Sequence, residues 1–182
     1  IDELPSVGQG SNKRAIGGLR ATHSDAAKIR VSLRSLDVFA SWEEQYGDKI
    51  EWRKAGYSFV AYREEEEKSL KGLLSFQKSH GLHIDWLDRK QILEAIPDLN
   101  PNGLIGGTLS PHDGNASPLL AVHAFYRRAR SLGAEFRFNE KVKRLIMAGG
   151  RVAGVWTDKG EYGAAAVINA AGPLGAEVAR LA

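Results

Sequence analysis

The residue types able to do chemistry are gathered in a few short stretches of this 182-residue chain. The first is Gly10-Ser11-Asn12-Lys13-Arg14-Ala15-Ile16-Gly17-Gly18-Leu19-Arg20. Its glycines leave backbone N–H groups open, Ser11 and Asn12 add side-chain donors, and Arg14 and Arg20 add cations, a set suited to anionic oxygen. The last stretch is Asn169-Ala170-Ala171-Gly172-Pro173. A bulky ligand can approach main chain closely only where side chains are absent, although the same residues would also serve as a tight strand-to-helix turn. Between these, His112-Asp113 has the look of part of a hydrolytic triad. It lies in a Pro111-His112-Asp113-Gly114 turn with no serine in an elbow motif, which argues against that chemistry. His80 and His83 flank Gly81 with no third ligand, a poor set for a metal. With no cysteine, disulfides, thiolate metal sites and cysteine nucleophiles are excluded within the chain.

These stretches need elements to hold them. Ser24 is the expected cap of a helix running to Gly47, with Val31, Leu33, Leu36, Val38, Phe39 and Trp42 at near-helical spacing. Ile50 to Trp52 and Gly56 to Tyr62 read as paired strands with the turn at Lys54 to Gly56. The acidic run Glu64 to Glu67 opens a second helix to about Ser79, its charge placed where the helix dipole favours it. Ile84 to Leu87 is a short strand, Asp88 caps a brief helix ending near Pro97, and Leu104 to Leu109 is a further strand. Ser117 and Pro118 start another helix, which stops at Gly133. Strands follow at Glu135 to Phe138, Val142 to Met147, Val152 to Thr157 and Tyr162 to Asn169, with turns at Gly149-Gly150 and Lys159-Gly160.

The composition, 43% hydrophobic and 26% charged, is that of a globular protein. No apolar run approaches the roughly 20 residues of a membrane-spanning helix, and the expected location is cytoplasmic. The 25 basic residues are interspersed with 22 acids rather than gathered into a stripe, which argues against nucleic acid as a partner. Residue one is Ile and the final segment lacks a cap, so both ends read as cut.

The order of elements from Ala134 to Pro173 resembles the second half of the FAD-binding domain of glutathione-reductase-type flavoproteins. Four motifs in sequence extend the likeness. The Gly10 to Arg20 stretch is similar to the flavin-side loop of sarcosine oxidases, glycine oxidases and archaeal proline-dehydrogenase β-subunits. Gly56 to Ala61 resembles their substrate-domain strand, Asp113-Gly114 with Pro118 the start of their following helix, and Asn169 to Pro173 their closing Asn-Ala-Ala-Gly-Pro-Trp. Ser117 stands where that group usually has Asp, and Leu174 where it usually has Trp. The chain is thereby identified as a member of the D-amino-acid-oxidase superfamily.

The resemblance implies an α/β fold: a partial FAD-binding domain over residues 1–48 and 112–182, with an inserted α+β substrate domain of mostly antiparallel strands over 49–111. The strand ending at Asn169 is expected in a parallel sheet. It implies FAD as cofactor and an amine or amino acid as substrate, oxidised at C–N with hydride passing to flavin, which accounts for the lack of a nucleophile or metal cluster. The implied FAD contacts are Gly10, Ser11, Asn12, Arg14, Gly17, Gly18, Val142, Asn169, Ala170, Ala171 and Gly172, with an acid on the adenosine ribose. Glu3 fits that role by its separation from Ser11, and Asp2 by following an apolar residue. Arg20 is the residue expected to act in catalysis. Arg14 and Arg20 each have two functional readings, beside the flavin N1–C2 edge or beside a substrate carboxylate, and a bland one as a solvated or packing arginine. His23 is read either as facing the flavin ring or as a helix staple. The Gly-x-Gly-x-x-Gly turn that cradles pyrophosphate is absent, since Gly8-x-Gly10 has no glycine three residues on. A glycerol-3-phosphate or 2-hydroxy-acid dehydrogenase, or a non-catalytic FAD-holding subunit, remain alternatives. A homo-oligomer or an electron-transfer subunit is a conceivable assembly.

Overall fold

The computed structural model describes residues 1–182. In chain order the elements are β1 (Gly18–Leu19), α1 (Ala26–Tyr46), β2 (Tyr57–Ala61), α2 (Glu64–Ser79), β3 (Asp85–Asp88), α3 (Arg89–Ala95), β4 (Gly106–Ser110), β5 (Gly114–Asn115), α4 (Pro118–Ser131), β6 (Val142–Ala148), β7 (Arg151–Thr157), β8 (Glu161–Gly163) and α5 (Gly175–Ala179). They fall into two compact units, Ile16–Leu120 and Ile1–Ala15 with Ala121–Ala182. In the first of these, β1 pairs with β5, and Ala21, Ile29 and Leu36 share one core with Leu82 and Ile84, so residues 16–46 pack with the segment that follows them.

In the unit Ile16–Leu120, α1 is capped by Asp25, one residue after the expected Ser24, because the Asp25 carboxylate accepts from Lys28 N–H at 2.8 Å. Gly47 ends it in the left-handed conformation at φ 75, donating its N–H to Glu43 O at 2.8 Å. The helix buries Ile29, Leu36 and Trp42. Each fully buried aliphatic side chain contributes about 1.5–3 kcal/mol relative to exposure. The sheet has the order β2-β4-β3, antiparallel throughout, with Phe59 opposite Thr108 and Trp86 also opposite Thr108. Ile50 to Trp52 is not a strand; Glu51 has φ 57, which breaks an extended run, and the pairing begins only at the Arg53–Asn115 bridge. The Asp88 cap of α3 is a reciprocal box, in which Gln91 N–H donates to Asp88 Oδ1 at 2.9 Å and Asp88 N–H to Gln91 Oε1 at 3.0 Å.

In the other unit the sheet is the meander β6-β7-β8. Residues 135–138 form no strand of that sheet. The N-terminal segment pairs there instead, with Asp2 N–H donating to Arg137 O at 2.8 Å, Asn139 N–H to Leu4 O at 3.0 Å and Glu140 N–H to Asp2 O at 3.0 Å. Buried Thr157 fastens the hairpin: its hydroxyl donates to Glu140 at 2.7 Å and accepts from Lys159 and Gly160 N–H, both at 3.0 Å.

The expectation of a parallel sheet closed by a strand to Asn169 is overturned. Every strand pairing is antiparallel, β8 ends at Gly163, and Ile168 is 88% exposed. A strand exists only against a partner, and beyond the bond from Ala164 N–H to Ala153 O the segment 165–169 has none within this chain. The fold is thus mixed α/β with antiparallel sheets. No helix is long and apolar enough to cross a membrane.

Candidate cofactor and substrate site

In the unit Ile16–Leu120 the site is built around Arg20, which leaves the C-terminal end of β1. Gly17 precedes that strand at φ 86, and a Cβ there would lie 2.2 Å from Ala116 O. Only glycine allows the close approach that Ala116 N–H to Gly17 O, 3.0 Å, requires. Gly17 therefore has a packing reason within the protein itself, whereas a Cβ on Gly18 would only touch the Tyr57 ring at 3.4 Å.

The Arg20 guanidinium lies over two rings, 5.7 Å from the Tyr57 centroid and 5.2 Å from that of Phe59. Period-two alternation along β2 puts both rings on one face, 5.4 Å apart. One Arg20 nitrogen, Nη1, donates to Thr22 O and contacts Thr22 Oγ1 at 3.4 Å. The donors on Nε and Nη2 remain open, in the fork geometry that pairs with a carboxylate. A cleft of about 310 Å³ adjoins Arg20, walled by Gly18, Leu19 and His23 and by Ser32, Ser35 and Leu36 of α1. Burial, reinforced by the positive charges of Arg20 and Lys28, holds His23 below the usual histidine range, so its ring stays neutral near pH 7.

Behind Arg20, Asp113 is 1% exposed. Its Oδ1 accepts Ala21 N–H at 3.2 Å, and its Oδ2 has no partner in good geometry, although Ser110 lies beside it. Burial pushes its carboxyl up, opposed by the Ala21 N–H, Ser110 and the Arg20 charge. His112 packs against His83, ring centroids 4.4 Å apart and planes tilted by 45°, and no hydrogen bond joins it to the Asp113 carboxylate. The sequence pointed to Arg20 and to a strand over Gly56 to Tyr62, the stretch that carries Tyr57 and Phe59. It did not single out Asp113 or Thr22 as the partners of that segment. The burial of Asp113 was foreshadowed only by its place before Gly114, whose own Cβ would lie 2.1 Å from Arg53 O.

The remaining candidates lie in the other unit and form three groups. Glu3 pairs with Lys141 at 2.7 Å, which puts it beside Val142 at the start of β6. Gly10 precedes a single 3-10 turn, Ser11–Arg14, in which Ser11 and Arg14 are exposed and Asn12 is half-buried, and a Cβ on Gly10 would meet nothing within 4 Å. Asn169 folds a second turn, its Nδ2 donating to Gly175 O at 2.8 Å and its Oδ1 accepting Ala171 N–H at 3.2 Å. Ala170, Ala171 and Gly172 follow, with Gly172 at φ 57 and open space where its Cβ would be. By residue type, bare glycines and alanines on two turns and an acid beside a sheet strand could hold the anionic and ribose groups of a dinucleotide.

The whole chain, residues 1–182, matches the DAO family, described as FAD dependent oxidoreductase, and the protein belongs to that family. It is 26% identical over 154 residues to 4-methylaminobutanoate oxidase (formaldehyde-forming) of Paenarthrobacter nicotinovorans, covering 85% of this chain and 19% of that protein. It is 29% identical over 149 residues to D-amino acid dehydrogenase of Azorhizobium caulinodans, covering 79% of this chain and 35% of that one. Among solved structures, L-proline dehydrogenase from P. horikoshii superposes with a TM-score of 0.89 at 28% identity, over 97% of this chain and 47% of that chain. The chain thus spans less than half the length of each of these relatives.

Proposed function

We propose that the protein carrying this chain oxidises the C–N bond of an amine or amino acid. The observation that carries the reading is the Arg20 guanidinium, backed by Tyr57 and Phe59, with its open donors beside a cleft. Such a fork holds a carboxylate in two parallel charge-assisted hydrogen bonds, and the rings fix its plane. Of the two functional readings of Arg20, this backing favours the substrate carboxylate. Beyond Arg20 the cleft is lined by Gly18, Leu19 and Leu36 with neutral His23 and two serines of α1, and so carries no negative charge, which suits a substrate amine arriving unprotonated.

The residues of the second unit fit FAD by type. Glu3 would hold the adenosine ribose and the Val142 main chain the adenine. Gly10, Ser11, Asn12 and Asn169 to Gly172 would face the pyrophosphate, with Arg14 as a nearby cation. Bound FAD supplies the acceptor for the electron pair that leaves the substrate carbon. The chain's own contribution is to orient the substrate through Arg20 and to exclude water with the aromatic face of β2. The tyrosine and phenylalanine that back Arg20 lie within residues 49–111, which supports a part for that segment in substrate recognition alongside Arg20, with FAD binding assigned to residues 1–48 and 112–182. The named relatives, which act on methylaminobutanoate, D-amino acids and proline, support the same class of substrate.

The test is anaerobic mixing of the FAD-loaded full-length protein with amino acids and N-methylated amino acids, and separately with 2-hydroxy acids and glycerol 3-phosphate. Bleaching of the flavin band by the nitrogen compounds alone is expected. Bleaching only by hydroxy compounds would move the protein to the alternative dehydrogenase class, and no bleaching by any would favour a cofactor-holding subunit.

A further inference from the structure

Asp113 joins three segments at one buried point. Its carboxylate accepts Ala21 N–H at 3.2 Å, its carbonyl accepts Gly56 N–H at 2.8 Å, and its own N–H donates to Ser110 O at 3.4 Å. Ala21 directly follows Arg20, and Gly56 directly precedes Tyr57, whose ring lies under the Arg20 guanidinium. One residue therefore fastens both the cation and its aromatic platform. Its neighbour cannot shift, since Gly114 is packed against Arg53 O too tightly for any Cβ. The second carboxylate oxygen has no partner in good geometry. Burying a carboxylate in that state opposes folding, and a turn made only for stability would do better with a neutral residue.

We infer that Asp113 is a positioning residue, tying the Arg20 strand to the Tyr57 strand so that the guanidinium meets a substrate carboxylate at a fixed angle. This rests on the proposed reading of Arg20 as the carboxylate ligand. Asp113 itself touches neither substrate nor cofactor. Its carboxylate acts on the Ala21 amide, while its main-chain carbonyl, which any residue would supply, holds the Gly56 amide, and the consequence is substrate affinity rather than the rate of the chemical step. Geometry of this kind matters because a misplacement of about 1 Å at a binding group can cost about 100-fold.

The experiment uses the FAD-loaded full-length protein and propionate, a carboxylate without an α-amine, titrated through its perturbation of the flavin spectrum. Amide hydrogen exchange of a peptide covering residues 19–22 is measured alongside. In Asp113→Ala, propionate affinity falls about tenfold, KM for the amino-acid substrate rises by the same factor with kcat within about threefold, and protection at Ala21 is lost. Asp113→Asn, which keeps an oxygen for the Ala21 N–H, stays within about threefold of the parent and keeps the protection. Asp113→Glu, with the carboxylate displaced by one methylene, replaces the alanine variant if that variant gives too little folded protein, and the same loss is expected of it. Unchanged propionate affinity in the alanine or glutamate variant overturns the positioning role, whatever the exchange result. Arg20→Ala separates this from the parent reading: if it leaves propionate affinity unchanged, the assignment of Arg20 falls, and a loss of Ala21 protection on replacing Asp113 then reports a structural tie alone.

Discussion

Replacing Gly17 by alanine separates packing from cofactor contact in the glycine-rich stretch. The added Cβ would lie 2.2 Å from Ala116 O, against the roughly 3.3–3.6 Å of an ordinary carbon–oxygen contact, so β1 must move about 1 Å away from the Asn115–Ser117 segment. That movement breaks the bond from Ala116 N–H to Gly17 O and weakens the pairing of β1 with β5, each bond contributing about 0.5–1.5 kcal/mol. The residue also has φ 86, which costs a non-glycine residue about 1–3 kcal/mol. The narrower unfolded ensemble of alanine offsets about 0.4–1 kcal/mol. The net expectation is a loss of about 2–4 kcal/mol, measured by urea unfolding of the full-length apoprotein. Gly10→Ala is the internal contrast, because its Cβ would meet nothing within 4 Å. It should leave stability within about 0.5 kcal/mol and, if Gly10 faces the pyrophosphate, weaken FAD retention in a fluorescence titration. A Gly17→Ala protein as stable as its parent would refute the claim that this glycine is required by main-chain packing.

Arg20→Ala should reduce kcat/KM by about one to two decades, the equivalent of a charge-assisted hydrogen bond worth about 1.5–3 kcal/mol, with the flavin content unchanged; kinetics equal to the parent would return Arg20 to a packing role. Because burial raises the Asp113 carboxyl above its usual range, its contribution to stability is best at low pH and is lost as pH rises from the ordinary aspartate value near about 3.9 through the folded value. Asp113→Asn should therefore melt higher than the parent at pH 7, with the gap closing toward pH 4; a gap that widens on acidification would contradict this. Glu140 has the opposite sign, held low first by the Thr157 hydroxyl and then by Tyr162, so it stabilises above about pH 4.3 and the benefit disappears as pH falls through its folded value. Glu140→Gln should lower the melting temperature at pH 7 and converge with the parent near pH 3, read by circular dichroism of the same full-length protein.

Several local signals were legible in the sequence, although the cap of α1 fell one residue on, at Asp25. Asp88 before a short helix, Gly47 after a helical run, and Pro118 after Ser117 each specify a helix end through bonds formed within four residues, and the structure carries all three ends. Family resemblance, through four short motifs in order, gave the family and its FAD dependence. What depends on partners distant in the chain was not legible. The segment 165–169 has the residues of a strand but no strand to pair with, and Glu135 to Phe138 meets the N-terminal segment rather than its neighbours in sequence. Likewise Arg20 was visible as a cation, but its aromatic backing lies 37 and 39 positions further along, and the Asp113 tie bridges 92 positions. Capping and turn chemistry act within a few residues of backbone and can be read from composition and spacing. Burial, cross-strand pairing and the orientation of a charged side chain are decided by atoms that only tertiary folding brings into contact.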